Sequence, residues 1–209
     1  MKKYRLIALF VVIAIIIALR FAGYSDNNPE TGDIVIRVID GDTFELKGRG
    51  KVRLLFIDTP EKGEPYYDSA LIYLRKTVLG QKVNLEFGHR TRDKYGRLLA
   101  FAYLDTILIN EELIRRGYAN LYLFPDNLKN TKMLNRLLAI QKNSVRNLTG
   151  IWSLPYLEED QYIANTRSKR FHRPDCRSAA KLSESRKRIF LKRENAFLEG
   201  YSPCRNCKP

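Results

Sequence analysis

The stretch DIVIRVIDGDTFELKGRGKVRLLFIDTPE, residues 33–61, decides how this chain is read. Ile34 to Ile39, Thr43 to Leu46 and Val52 to Ile57 are short runs rich in β-branched and aliphatic residues, separated by Asp-Gly-Asp and Lys-Gly-Arg-Gly clusters. Such runs, bounded by turn residues, predict three consecutive strands. Two further strands are expected at Val83 to Phe87 and Leu98 to Leu104. Helices interrupt them. Tyr66 to Leu79 places Ala70, Leu71, Leu74 and Val78 on one face. Ile109 to Arg116 predicts a second helix, stopped by Gly117. Thr131 to Leu148 predicts a third, with Leu134, Leu137, Leu138, Val145 and Leu148 inward and Gly150 near its C-terminal cap. The order is three strands, a helix, two strands, then two helices. A closed five-stranded barrel of the OB type, capped by three helices, accommodates that order in an α+β architecture.

Outside the barrel the charge is unevenly spread. The chain has 209 residues, 37 Lys and Arg, 23 Asp and Glu, and a formal net charge of +14. Residues 1–20 contribute +4, residues 21–160 only +1, and residues 161–209 a further +9. A nearly balanced middle with a cationic tail suits a polyanion, either nucleic acid or an anionic membrane surface. Lys2, Lys3 and Arg5 precede an apolar run from Leu6 to Leu19. Fourteen residues fall short of the roughly 20 that a spanning helix needs, and fit the apolar centre of a secretory signal. Residues 1–25 are therefore expected to be a signal peptide or a membrane anchor, and residues 26–32 a linker. The protein is then exported, either secreted or held at the membrane with its folded part facing outward.

Three clusters carry chemistry. Asp40-Gly41-Asp42-Thr43 is a tight turn presenting two carboxylates. Arg53 to Glu61 ends a strand with Asp58-Thr59-Pro60-Glu61. Arg92-Asp93-Lys94-Tyr95-Gly96-Arg97 leads into the last strand. Asp42, Asp58 and a nearby carbonyl make an oxygen site for a hard cation such as Ca²⁺. Arg53 and Arg97 are forked cations suited to a phosphate, and Glu61 is a candidate base for a water molecule. Only two histidines exist, His89 and His172, and neither lies in these clusters, so no histidine base is part of this reading.

In combination and order these motifs resemble the staphylococcal nuclease (thermonuclease) family over residues 33–153. The resemblance implies that Asp42, Asp58 and the Thr59 carbonyl hold calcium, with Asp40 supporting the turn. It implies that Arg53 and Arg97 bind the scissile phosphate and its transition state, with Glu61 as general base. Lys94 and Tyr95 match the nucleotide pocket, and Tyr122 the aromatic beside the base. The implied reaction is hydrolysis of DNA or RNA to fragments ending in a 3′-phosphate. Two departures stand out: the segment from Glu61 to Ala70 is shorter than the family's flexible loop, and Arg92 is an inserted residue. A noncatalytic nucleic-acid-binding envelope protein, serving DNA capture or uptake, is the alternative reading. No protein partner is implied.

The tail holds all three cysteines. His172 and Cys176, with Cys204 and Cys207, form two spaced pairs offering an imidazole and three thiolates. That is a complete tetrahedral set for structural Zn²⁺. The segment 162–209 also resembles the zinc-binding module of the adaptive-response DNA alkylation repair protein, through Phe171 to Cys176 and Gly200 to Cys207. A cysteine accepts the methyl group in that protein, where this chain has His172. The resemblance therefore leaves either zinc-supported DNA binding or a purely structural role.

Overall fold

The structure is a computed structural model and describes residues 32–124 and 129–209. The expected signal or anchor, residues 1–25, and all but the last residue of the linker 26–32 lie outside the described residues. Residues 32–209 form one compact unit.

Strands β1 (Asp33–Val38), β2 (Thr43–Leu46) and β3 (Gly50–Leu54) form an antiparallel meander. A two-residue strand, β4 (Ile57–Asp58), follows, then helix α1 (Tyr67–Val78). β5 (Lys82–Arg92), β6 (Leu98–Leu104) and β7 (Ile107–Leu108) complete the sheet in the order β3-β2-β1-β5-β6-β7. A parallel pairing of β3 with β6, Val52 opposite Leu98 and Leu54 opposite Ala100, closes five of these strands into a mixed barrel. Closure removes the unpaired edge that an open sheet would leave. Helix α2 (Ile109–Arg115), strand β8 (Asn120–Leu121), paired with β4, and helix α3 (Thr131–Arg146) follow. The barrel core is built from Val35, Phe44, Leu46, Val52, Leu54, Ala100 and Phe101, all buried.

The expected strand Val52 to Ile57 is broken. Phe56 takes φ 63° and is fully buried, with its ring edge-on to Phe101 at 5.3 Å. A left-handed conformation is costly for a bulky residue and persists only where its surroundings enforce it. Here Asn110 Nδ2 donates to the Leu55 carbonyl (2.8 Å) and Leu55 N–H donates to Ala100 (2.9 Å) before the bend, and Tyr122 N–H donates to the Phe56 carbonyl (2.8 Å) after it. The bend turns Asp58 back toward the Asp40–Thr43 turn. β5 runs five residues beyond the expected Phe87, into the hairpin that presents Asp93 to Arg97.

α1 buries Ala70, Leu74 and Val78 as expected, with Leu71 partly covered. In α3, Leu137 and Val145 are buried and Leu134 and Leu138 partly so. Leu148 is not inward: the helix ends at Arg146, and Leu148 is 63 % exposed with φ 50°. Met133, Gln141 and Ser144 take buried positions instead. Beyond the helix the chain passes over Gly117 so closely that a Cβ there would lie 1.9 Å from the Thr149 carbonyl oxygen. Glycine is therefore required at this position as well as favoured by φ 63°.

The tail forms a second sheet from β9 (Tyr162–Asn165), β10 (Arg170–His172), β11 (Lys187–Phe190) and β12 (Ser202–Pro203), in the order β11-β9-β10-β12. Helices α4 (Arg177–Ala180) and α5 (Arg193–Leu198) accompany it. Its aromatic core of Tyr162, Phe171, Phe190, Phe197 and Tyr201 includes Val145 of α3 and packs against Trp152. Buried Gln141 accepts a hydrogen bond from Leu121 N–H (2.6 Å) and donates to the Phe197 carbonyl (2.8 Å). Ser202 Oγ accepts from Leu123 N–H (3.2 Å). The tail is thus docked on the barrel by apolar contact and by buried hydrogen bonds.

Candidate active site

The Asp40–Thr43 turn is tied by Asp40 Oδ1, which accepts from Asp42 N–H at 3.0 Å. Gly41 lies against α1 and Thr59, where a Cβ would fall 2.6 Å from Ala70 Cβ. Even a methyl group there would displace the turn. Asp42, 5 % exposed, accepts from Thr43 Oγ1 on one oxygen and from Thr59 N–H and Oγ1 on the other. β3 projects Arg53 inward, also buried. Its Nη2 lies 2.9 Å from Asp42 Oδ2 and 2.8 Å from Asp58 Oδ1, while Nη1 donates to the Leu54 carbonyl.

Two carboxylates separated by 16 positions thus converge on one nitrogen of one guanidinium. A buried charge needs such a partner, since leaving either carboxylate alone would be expensive. Burial is the largest influence on Asp42 and raises its pKa, opposed by Arg53 and reinforced by Asp40. Asp58 is likewise raised by burial, against the pull of Arg53 and Arg205. The oxygens that converge on Arg53 are hard donors, and a divalent cation is the ligand that such a pair fits.

Glu61 is exposed, and its N–H donates to Glu64 Oε2 at 2.7 Å. With Asp58, Thr59 and Glu64 it lines one side of a cavity of about 370 Å³. The other side is built by the tail, including Cys204, Arg205 and Lys208.

Arg97 does not line this cavity. Its Nε bonds Asp93 Oδ2 at 2.7 Å, and Asp93 also accepts from Tyr95 and Arg97 N–H groups. Burial raises the Asp93 pKa, but these bonds outweigh it and leave the pKa below the usual value. Tyr95 is 72 % exposed on the same turn, with Lys94 Nζ 4.9 Å and the Arg97 guanidinium 5.6 Å from its ring centre. The structure therefore assembles Asp42, Arg53, Asp58, Thr59 and Glu61 at one place and keeps Lys94, Tyr95 and Arg97 together on the β5–β6 turn. Tyr122 follows β8. Its ring carries the guanidiniums of Arg170 at 3.6 Å and Arg205 at 4.6 Å.

Sequence reasoning missed Arg205, Lys208, Arg170 and Glu64. Arg205 donates to both oxygens of Asp58, through Nη2 to Oδ1 and through Nε to Oδ2 at 3.2 Å, and Lys208 pairs with Glu64. For Arg205 and Lys208 the available signal was their position within and beside the Cys204–Cys207 pair; Arg170 and Glu64 carried none.

That pair belongs to a second centre. His172 ends β10, Cys176 precedes α4, and Cys204 follows β12, with its N–H donating to the Phe171 carbonyl at 2.9 Å. The parallel pairing of β10 with β12 brings the two halves together. The ligand atoms of His172, Cys176, Cys204 and Cys207 all lie within 4.8 Å of one another, and Cys176 Sγ is 3.5 Å from His172 Nδ1. A tetrahedral zinc with sulfur ligands at about 2.3 Å has sulfur–sulfur edges of about 3.8 Å, so the set fits. Burial, reinforced by the Arg170 charge, lowers the His172 pKa and favours the neutral, ligating imidazole. Cys207 is pushed up to about 12 by burial and the neighbouring thiols, whereas N–H donors near Cys176 outweigh burial and bring it down.

A closed five-stranded barrel that gathers two carboxylates, a buried guanidinium and an exposed glutamate at one cavity has the framework of a phosphodiester-cleaving enzyme. Comparison with known proteins agrees. The family described as "Staphylococcal nuclease homologue" matches residues 51–154. The thermonuclease of Staphylococcus hyicus is 34 % identical over 172 residues, 73 % of this chain and 99 % of that protein. The thermonuclease of Staphylococcus intermedius is 34 % identical over 128 residues, 57 % of this chain and 74 % of that protein. The endonuclease YncB of Bacillus subtilis (strain 168) is 34 % identical over 143 residues, 62 % of this chain and 66 % of that protein. The chain belongs to the staphylococcal nuclease family, and it is a nuclease. The family match ends at Leu154, before the sheet of the tail begins.

Proposed function

We infer that this chain is an exported, calcium-dependent nuclease that hydrolyses DNA or RNA to products ending in a 3′-phosphate. The observation that supports it best is the convergence of Asp42 Oδ2 and Asp58 Oδ1 on a single guanidinium nitrogen beside the Glu61 cavity. Asp42, Asp58 and the Thr59 carbonyl are the calcium ligands of this reading, and Asp40 sets their turn. Calcium, when bound, supplies a Lewis acid for a phosphate oxygen. Glu61 takes a proton from the attacking water as the water oxygen bonds phosphorus and the bond to the 5′-oxygen breaks; the 5′-oxygen takes up a proton from solvent, and the phosphate stays on the 3′ side. Arg53, buried and already oriented, supplies positive charge where it is needed as negative charge accumulates on phosphorus. Arg97, carried on the β5–β6 turn, supplies the second guanidinium, while Lys94, Tyr95 and Tyr122 contact the nucleotide.

In the tail, His172, Cys176, Cys204 and Cys207 hold one structural zinc, with no position left for water. The likeness of this segment to the alkylation-repair zinc module and its +9 charge support contact with nucleic acid. Export rests on Lys2, Lys3 and Arg5 followed by Leu6 to Leu19. Among the described residues no helix is long and apolar enough to cross a membrane.

The test is hydrolysis of an end-labelled DNA or RNA strand by the purified chain, with calcium and then with excess chelator. Calcium-dependent products that become ligatable only after 3′-phosphatase treatment are expected. Hydrolysis that persists in chelator, or products with 3′-hydroxyl ends, would overturn the reading.

A further inference from the structure

We propose that Arg205 of the tail is a phosphate-binding residue of the nuclease centre, completing from outside the barrel a subsite for the nucleotide next to the scissile bond. The proposal rests on the reading of the Asp42–Arg53–Asp58 centre as the place of phosphodiester cleavage. Its support is the composition of the cavity. Asp58 and Glu61 of the barrel and Arg205 and Lys208 of the tail bring charged groups to a lining that is otherwise largely apolar, with Trp152 and Phe197 in it. A volume of about 370 Å³ falls in the range of pockets that take small organic ligands, a size class that includes a nucleotide.

Arg205 is built for this place. Its side chain is 51 % exposed, so it reaches the cavity without being sealed in it. Two of its donor atoms, Nε and Nη2, engage Asp58, and Nη1 has no hydrogen bond among the described residues. The guanidinium rests over Tyr122, which fixes its plane. A planar fork with donors on two edges can hold a carboxylate on one edge and a phosphate oxygen on the other, which a lysine ammonium does not reproduce. The backbone behind it is pinned: Cys204 N–H bonds the Phe171 carbonyl, Lys208 N–H bonds the Cys204 carbonyl, and Cys204 and Cys207 flank the arginine within the four-ligand cluster. The cysteine cluster therefore sets where Arg205 stands relative to the barrel.

The test compares the wild-type chain with Arg205→Ala and Arg205→Lys on two calcium-activated substrates: a dinucleotide with one phosphodiester bond, and a single-stranded octanucleotide. Circular dichroism checks folding, and Lys181→Ala, an exposed tail charge away from the cavity, controls for net charge. For Arg205→Ala the octanucleotide KM should rise about tenfold with kcat changed less than about threefold, and the dinucleotide KM should stay within about twofold. The plot of log affinity against log salt for the octanucleotide, read by fluorescence anisotropy, should become shallower by about 0.7. Arg205→Lys should recover the salt slope but only part of the KM.

Equal effects on both substrates would mean that Arg205 acts through Asp58 alone, and would overturn the proposal. So would a gain of activity at limiting calcium, which would make Arg205 a plug at the metal ligand. Unchanged kinetics on both substrates would also overturn it. Zinc content, measured on the same samples, is independent: a chain without zinc that still shows the octanucleotide effect removes the zinc reading and keeps this one. Wild-type protein inert on both substrates would remove the reading of the centre, while the anisotropy arm would still report whether Arg205 contacts the strand.

Discussion

Replacing Arg53 with alanine separates the structural from the catalytic use of one guanidinium. Arg53 is 3 % exposed and is shared by two carboxylates, one of them Asp42, itself 5 % exposed. Removing one partner of a buried ion pair costs about 3–5 kcal/mol, because the remaining charge has no compensation. Arg205 still bonds Asp58, so the lower end of that range is expected. For a compact unit of this size each kcal/mol shifts Tm by about 2–4 °C, so about 3 kcal/mol lowers Tm by about 6–12 °C in chelator. Calcium should change the comparison. Without Arg53 the cation meets two carboxylates and less positive charge, so its affinity should rise. At saturating calcium both chains are stabilised, and the gap narrows by the ratio of their affinities, about 1.4 kcal/mol for each tenfold gain, so a tenfold tighter site closes about half of it. Turnover should not recover. Losing a donor aimed at charge developing in the transition state costs about 10²–10³ in kcat. The assay is thermal denaturation with and without calcium, run beside hydrolysis of a labelled oligonucleotide. An Arg53→Ala protein as stable as wild type in chelator would refute the electrostatic argument. Calcium-restored turnover would refute the catalytic one.

Two further outcomes follow from the second centre and the β5–β6 turn. A zinc-selective chelator at saturating calcium should lower Tm by about 8–16 °C, since a metal at 1,000 times its Kd contributes about 4.1 kcal/mol. Near-ultraviolet circular dichroism should show the tail's aromatic core loosened but not lost, because it also packs on Val145 and Trp152; an unchanged Tm would reject the zinc. At the turn, the Asp93 pKa is depressed in the folded chain, so its contribution is present above the unfolded value of about 3.9 and lost as pH falls through the lower folded value. Asp93→Asn should therefore cost below about 1 kcal/mol at neutral pH, given the partly exposed pair, and nothing at about pH 2. A cost that persists at low pH would show that the carboxylate charge is not what holds the turn.

How much the sequence disclosed varies with the range of the forces involved. β2 and β6 fall where apolar runs between turn residues place them, because alternation and flanking glycines are local signals. The oxygen donors and Arg53 were legible for the same reason: each sits at the end of a short strand in a recognisable motif. The bend at Phe56 was not. It depends on Asn110 bonding the Leu55 carbonyl from 55 positions away, and nothing local to Val52–Ile57 encodes that bond. Leu148 fits the helical period yet lies beyond the last turn, where the approach of Gly117 to Thr149 ends the helix. The cysteine–histidine set was legible from spacing. Its placement beside the nuclease centre was not, since Arg205 reaches Asp58 across 147 positions. The tail's aromatic core was also not legible from its length, because it extends into α3 through Val145.

The central claim is that Asp42 and Asp58 hold the calcium on which cleavage depends. Calorimetric titration of calcium into the wild-type and Asp42→Asn chains, with hydrolysis of a labelled strand measured on the same preparations, tests it most directly. The wild-type chain should take up one calcium in the barrel, and Asp42→Asn, folded by circular dichroism, should bind it at least about 100-fold more weakly, losing turnover in proportion. An Asp42→Asn chain that binds calcium as tightly as wild type, or that cleaves at the wild-type rate, would contradict the account.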